Sequence, residues 1–72
     1  MGSYKERLTN DVYEYIRANG PSYSADIAKD LNPRYHGNLS AVSVSNVCKQ
    51  LRGQGLVKLE REGKDSGQWV VE

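Results

Sequence analysis

Residues 40–62 read SAVSVSNVCKQLRGQGLVKLERE, and this stretch decides the fold. Val44, Val47, Cys48 and Leu51 recur at the spacing of an amphipathic helix. Ser40 precedes them with a side-chain oxygen suited to accept from first-turn amides, and Gly53 and Gly55 bracket the far end. The spacing predicts helix three over 41–53. After Gly55 the period switches to two: LVKLERE alternates, GKDSG carries turn chemistry, and QWVVE is a second apolar run. A two-stranded hairpin over 56–72 is expected. Because an isolated hairpin is marginal, Val57, Leu59, Trp69 and Val71 should pack back on the helices.

Upstream, SYKE has the capping-box pattern, with Ser3 accepting from Glu6 and Glu6 reaching back. Tyr4, Leu8, Val12, Tyr15 and Ile16 then share one helical face, and NGP ends it. Helix one is expected over 4–19. PSYS reads as a short extended connector, and Ser24 as the cap of helix two, with Asp26 favourable in its first turn. Ile27, Ala28 and Leu31 supply its inward face, and Pro33 stops it, which predicts helix two over 25–31. NPRYHGNL between helices two and three is a polar loop, long for a turn between helices.

Seventy-two residues suffice for one small core and no deep cleft, so a single domain over 1–72 is expected. The apolar share of 38% and the charged share of 26% suit an ordinary globular domain. No apolar run approaches membrane-spanning length, and no signal-peptide stretch is visible at the N-terminus. The single cysteine, Cys48, excludes an internal disulfide, and one His with one Cys makes no four-ligand metal site. Cys48 lies in the inward stripe of helix three, where burial silences a thiol, so no Cys48–His36 dyad is expected. GKDSG lacks the spacing of a phosphate loop, and no carboxylate pair marks a cleft. The reading is of a protein that is not an enzyme, with no cofactor, metal or small-molecule ligand, in a reducing compartment such as the cytoplasm. The formal net charge is +1; residues 1–32 carry −1 and residues 33–72 carry +2. An anionic partner would favour the second half.

The order helix, extended piece, helix, helix, hairpin resembles the winged helix-turn-helix family of DNA-binding domains, an α+β fold of three helices with a C-terminal two-stranded β-hairpin wing. SADIAKDL resembles the first helix of the helix-turn-helix. VSNVCKQLRGQGLVKLERE resembles the recognition helix running through GLV into the wing. Val44, Cys48, Leu51, Gly55, Leu56 and Val57 fall where the family keeps its apolar frame. NPRYHGNLSA departs from the pattern, being longer than the usual turn, which bears on the angle of helix three.

The resemblance implies double-stranded DNA as the partner, with helix three in the major groove. With the apolar stripe inward, at about 100° per residue, the opposite face carries Val42, Ser43, Asn46, Lys49, Gln50 and Gly53, flanked by Ser45 and Arg52. Slim serines allow close approach, amides pair with adenine edges, and cations meet phosphate or guanine. The candidate recognition residues are therefore Ser43, Ser45, Asn46, Lys49, Gln50 and Arg52. Taken singly, each reads equally well as a solvated polar position. Arg34, Tyr35 and His36 in the loop, and Lys58, Arg61 and Lys64 in the wing, are candidate phosphate contacts. Against the wing stand Glu60, Glu62 and Asp65, which weaken any phosphate contact and can pair across the hairpin.

Trp69 reads as core cover rather than a contact. Domains that bind left-handed nucleic acid also carry a wing tryptophan, but pair it with an Asn and a Tyr on the recognition helix and with wing prolines. Here Ser45 and Lys49 fall at those two positions and GKDSG has no proline, so that subfamily is set aside. The expected function is a DNA-binding module, a small transcriptional regulator. The alternative is a winged-helix protein-interaction module within a larger nucleic-acid-processing assembly, favoured by Val42 on the exposed face and by the acidic wing. RNA or single-strand binding would need aromatic platforms, for which only Tyr13 and Tyr35 look free. If the chain forms a homodimer, helix one with Tyr13 is the expected surface.

Overall fold

The structure, a computed structural model, describes residues 3–60 and 67–72. Among these residues three helices, a 3-10 turn and a hairpin follow in order: α1 (Tyr4–Asn19), α2 (Ser24–Leu31), the turn Asn32–Tyr35, α3 (Ala41–Gly53), β1 (Val57–Glu60) and β2 (Gln68–Val71). Ser3 Oγ accepts from the Glu6 amide at 3.2 Å, which secures the start of α1. The return bond expected from Glu6 is not made among the described residues. Gly20, at φ 74°, ends the helix by donating to the Ile16 carbonyl, a conformation glycine adopts without strain.

Leu8, Val12 and Ile16 of α1 meet Ile27, Ala28 and Leu31 of α2 and Val44, Val47, Cys48 and Leu51 of α3 in one apolar cluster. Val57 and Trp69 close it from the hairpin side. Each fully buried aliphatic side chain here contributes about 1.5–3 kcal/mol relative to an exposed one. Tyr4, expected on the inward face, is 60% exposed; its ring instead meets that of Tyr35 edge-on, with centroids 5.5 Å apart. Tyr15 is half-buried and donates its hydroxyl to Asp30 of α2.

β1 and β2 are antiparallel in the register Val57↔Val71, Lys58↔Val70, Leu59↔Trp69 and Glu60↔Gln68. Val57, Leu59, Trp69 and Val71 thus share the face turned to the helices, as the alternation predicts. Val70, on the back of the hairpin, is also buried, beside a hollow that Ile16, Gly20 and Pro21 line with it. The connector PSYS supplies a third, one-residue strand: Ser22 and Trp69 exchange both backbone hydrogen bonds, at 3.1 and 2.7 Å. Gly67 lies so close to β1 that a Cβ there would stand 2.7 Å from Leu59 Cγ and 2.8 Å from the Glu60 carbonyl. Only glycine fits that approach.

The segment read as a polar loop is more ordered than its composition suggests. Asn32 is helical, at φ −51° and ψ −43°, although it precedes Pro33; α2 gives way to a 3-10 turn rather than stopping in extended chain. Pro33 sits at the start of that turn, where its missing N–H costs nothing. His36 takes a left-handed conformation at φ 57°. The Asn32 side-chain oxygen accepts from the Leu39 amide at 2.9 Å and closes the loop on itself. Tyr35 and Leu39 are buried, each 6% exposed, so the long loop is a flap of core.

Candidate nucleic-acid interface

α3 is held by its N-cap: Ser40 Oγ accepts from the Ser43 amide at 3.2 Å and lies 3.1 Å from the Ser43 hydroxyl. Ser43 is half-buried in this arrangement, and its hydroxyl serves the cap. The buried stripe turns the rest of the helix outward, and the hairpin rises along one flank.

Between the flank and the hairpin runs an open groove of about 910 Å³. From α3 come Ala41, Val42, Ser45, Lys49 and Arg52; from the start of α2, Ser24 and Ala25, with Tyr23 just before them; and from the hairpin, Leu59, Gly67 and Trp69. The described lining holds two cations and no carboxylate. Among the described residues no acidic group lies within ion-pair distance of Lys49 or Arg52. Val42, 70% exposed, stands at the rim.

The remaining candidates divide. Asn46 is exposed on the outer line of α3. Gln50 faces the other way, into a shallow hollow of about 390 Å³ with Lys5, Glu6, Tyr13 and Leu56. Lys58 points from the back of the hairpin, 3.8 Å from Glu60, opposite the face that lines the groove. Arg34 lies on the α1 side, its Nη1 3.9 Å from Asp11 Oδ1. His36 is exposed in the loop. Arg61 and Lys64, with Glu62, Gly63, Asp65 and Ser66, fall outside the described residues.

Tyr35 requires a correction. Expected as a phosphate contact or a free stacking platform, it is core, and its hydroxyl donates to Asp11 at 2.5 Å. Burial, reinforced by that bond, pushes its pKa up to about 12. Tyr13 is half-buried, with the Arg17 guanidinium 5.9 Å from its ring centroid, so neither platform is free. Burial also pushes the Cys48 thiol up to about 12, which keeps it protonated.

Ser24 also departs from expectation. It is the first residue of α2, whose cap position is Tyr23 and carries no side-chain cap bond. The Ser24 hydroxyl instead accepts from the Trp69 indole Nε1–H at 2.9 Å, and Trp69 is 4% exposed. Sequence reasoning missed Tyr23 and Ser24 as groove residues, because only the tertiary arrangement brings the start of α2 to the hairpin.

No family model and no curated protein matches the sequence. Solved structures do. The apo-Zalpha domain of zebrafish PKZ matches with a TM-score of 0.80 at 22% identity, over 96% of this chain and 97% of that one. The Zalpha domain of Carassius auratus PKZ, solved in complex with Z-DNA, matches at 0.80 and 20% identity, over 97% and 100%. The Zbeta domain of human DAI, solved in solution with its binding modes to B- and Z-DNA, matches at 0.69 and 20%, over 99% and 91%. The fold is a winged helix-turn-helix. In this winged helix α2 and α3 form the helix-turn-helix, and β1 and β2 form the wing. The sequence reading set aside the domains that bind left-handed nucleic acid; at the level of the fold that separation does not hold, because the backbone lies beside theirs. The distinction rests on side chains alone, Ser45 and Lys49 on α3 and the absence of proline from GKDSG. Identity of this order carries the fold across and not the ligand.

Proposed function

We propose that this chain is a DNA-binding module whose groove between α3 and the wing seats the sugar-phosphate backbone of a duplex. The observation that carries this reading is the placement of Lys49 and Arg52 together in a groove whose described lining has no carboxylate. Cations without internal partners release counterions from phosphate when they bind, and this sequence-independent attraction dominates protein–DNA affinity. Ser45 is short enough to let a strand approach. Ala25 and Ala41 offer an apolar wall against which deoxyribose can lie. One structural neighbour solved in complex with Z-DNA, and another described with its binding modes to B- and Z-DNA, support DNA as the partner and make duplex handedness the first variable to examine.

A small regulator of transcription is the biological role that fits such a module. In that role the outer line of α3 would enter a major groove, with Asn46 against adenine and Val42 against a thymine methyl. Both are exposed, which favours this finer version.

Fluorescence anisotropy tests the reading with two labelled duplexes, one of random sequence and one of alternating cytosine and guanine, each titrated at several salt concentrations. Circular dichroism follows handedness. Binding that weakens steeply with salt, and loses slope in Lys49→Ala, supports backbone seating. Absence of binding to either duplex at low salt overturns it and turns attention to protein partners.

A further inference from the structure

We propose that Ser24 is a positioning residue: its hydrogen bond to Trp69 is a latch between α2 and the wing that sets the opening of the groove, a role that rests on the DNA-binding reading. The two walls come from different parts of the chain. α2 and α3 pack together through Ile27, Ala28, Leu31, Val44 and Cys48, so the wall that bears Lys49 and Arg52 is continuous with the start of α2. The opposite wall is the hairpin, and what holds it in place is Trp69. Its indole Nε1–H donates to Ser24 Oγ at 2.9 Å, while its backbone exchanges two hydrogen bonds with Ser22. Ser22 is itself buried, with its hydroxyl donating to the Gly20 carbonyl at 2.9 Å. Three hydrogen bonds from a three-residue stretch thus converge on one wing residue. Burial of Trp69 shields them from competing water.

Two details separate this arrangement from ordinary packing. A serine at the start of a helix normally serves as its cap, yet α2 begins without a side-chain cap bond and the Ser24 hydroxyl serves the wing instead. The indole N–H is also the one polar side-chain atom of Trp69. Because Ser24 occupies it, Trp69 acts on a ligand by where it stands and not by donating to it.

Ser24→Ala and Ser24→Thr in the full 72-residue chain test the latch. Trp69 is the only tryptophan, so its emission and its indole proton report on this bond alone. The expected result for Ser24→Ala is a folded protein by circular dichroism, with faster exchange of the indole proton and red-shifted emission. DNA binding weakens about fivefold, the scale of one neutral hydrogen bond. The salt slope stays unchanged, because every phosphate-facing cation is still in place. Ser24→Thr, which keeps the hydroxyl, restores both indole protection and affinity. Wild-type exchange of the indole proton in Ser24→Ala overturns the latch. Altered exchange with wild-type affinity overturns its role in setting the groove. If the unsubstituted chain binds no duplex, that role falls together with the DNA reading, while indole exchange in the free protein still decides whether the latch exists.

Discussion

Arg34 and Lys49 are both exposed cations in the half of the chain with surplus positive charge, yet the structure treats them differently. Arg34 faces Asp11, which also receives the Tyr35 hydroxyl, and its surroundings include Glu14. Lys49 shares its groove with Arg52 and no described carboxylate. On the α1 side charge is settled within the fold; along α3 it is left for something outside. The net charge of +1 hides this difference, because a sum over the chain does not say which cations have internal partners. Tyrosines divide in the same way, since Tyr15 and Tyr35 tie α1 to the elements that follow while Tyr23 borders the groove.

The division between the two sides is most exposed to test at Tyr35. If this side chain belongs to the fold, Tyr35→Ala will destabilise the domain by about 3–5 kcal/mol, the usual result of truncating a buried aromatic. Tyr35→Phe will cost about 1–3 kcal/mol, by leaving Asp11 without its donor. Urea unfolding measures both. A Tyr35→Phe variant of unchanged stability but weakened DNA binding would return Tyr35 to the interface.

Removing the groove cations should act on binding instead. Lys49→Ala combined with Arg52→Ala is expected to lower the slope of log affinity against log salt by about 1.8, roughly 0.9 for each phosphate no longer neutralised. Unfolding midpoints should barely move, since neither side chain has a described ion-pair partner. A double variant with the wild-type slope would place the phosphates elsewhere.

Alkaline titration probes the α1 side more finely. The hydrogen bond to Asp30, with burial and the nearby carboxylates, pushes Tyr15 up to about 12, and burial with the Asp11 bond does the same for Tyr35. An unfolded tyrosine releases its proton near pH 10. The folded state therefore binds more protons between pH 10 and 12, and the stability these groups contribute is complete below pH 10 and lost as pH rises through that window. Thermal unfolding across pH 9–12 checks the sign; in Tyr15→Phe the fall should be shallower. A stability that rises over the same range would reject the assignment.

The smallest effect is expected at Arg34. Its side chain is two-thirds exposed, so the pair with Asp11 is worth little more than a typical surface salt bridge, under about 1 kcal/mol. Arg34→Ala should leave the salt slope of DNA binding where it is. A loss of slope comparable to that of Lys49→Ala would erase the contrast between the two sides.

Much of the fold was legible in the residues themselves. The stripe of Val44, Val47, Cys48 and Leu51 and the bounding Ser40 delimit α3, and the observed helix covers the same span. Ser3 and Gly20 do the same for α1. Period-two alternation placed Val57, Leu59, Trp69 and Val71 on one face of the hairpin. Local rules failed where a residue had two uses. Ser24 carried a capping signal, but a tryptophan 45 positions away claims its hydroxyl. Tyr35 sat in a polar, glycine-bearing stretch, and Asp11, 24 positions earlier, draws it inward. Asn32 precedes a proline but remains helical, because the 3-10 turn that follows carries Tyr35 and Leu39 into the core.

The candidate site shows the same division. Helical periodicity is a local property, so the residue order alone puts Ser45, Asn46, Lys49 and Arg52 on the outer side of α3. Which of them share a groove depends on where the hairpin stands. That is decided by contacts between distant parts of the chain: the Ser22–Trp69 backbone bridge, the Ser24–Trp69 hydrogen bond and the burial of Val57 and Val70. These bonds gather Lys49, Arg52 and Ser45 on one side of α3, while Gln50 faces α1 and Lys58 the back of the wing. Periodicity sets the direction of a side chain; only packing across long sequence separations decides what it points at.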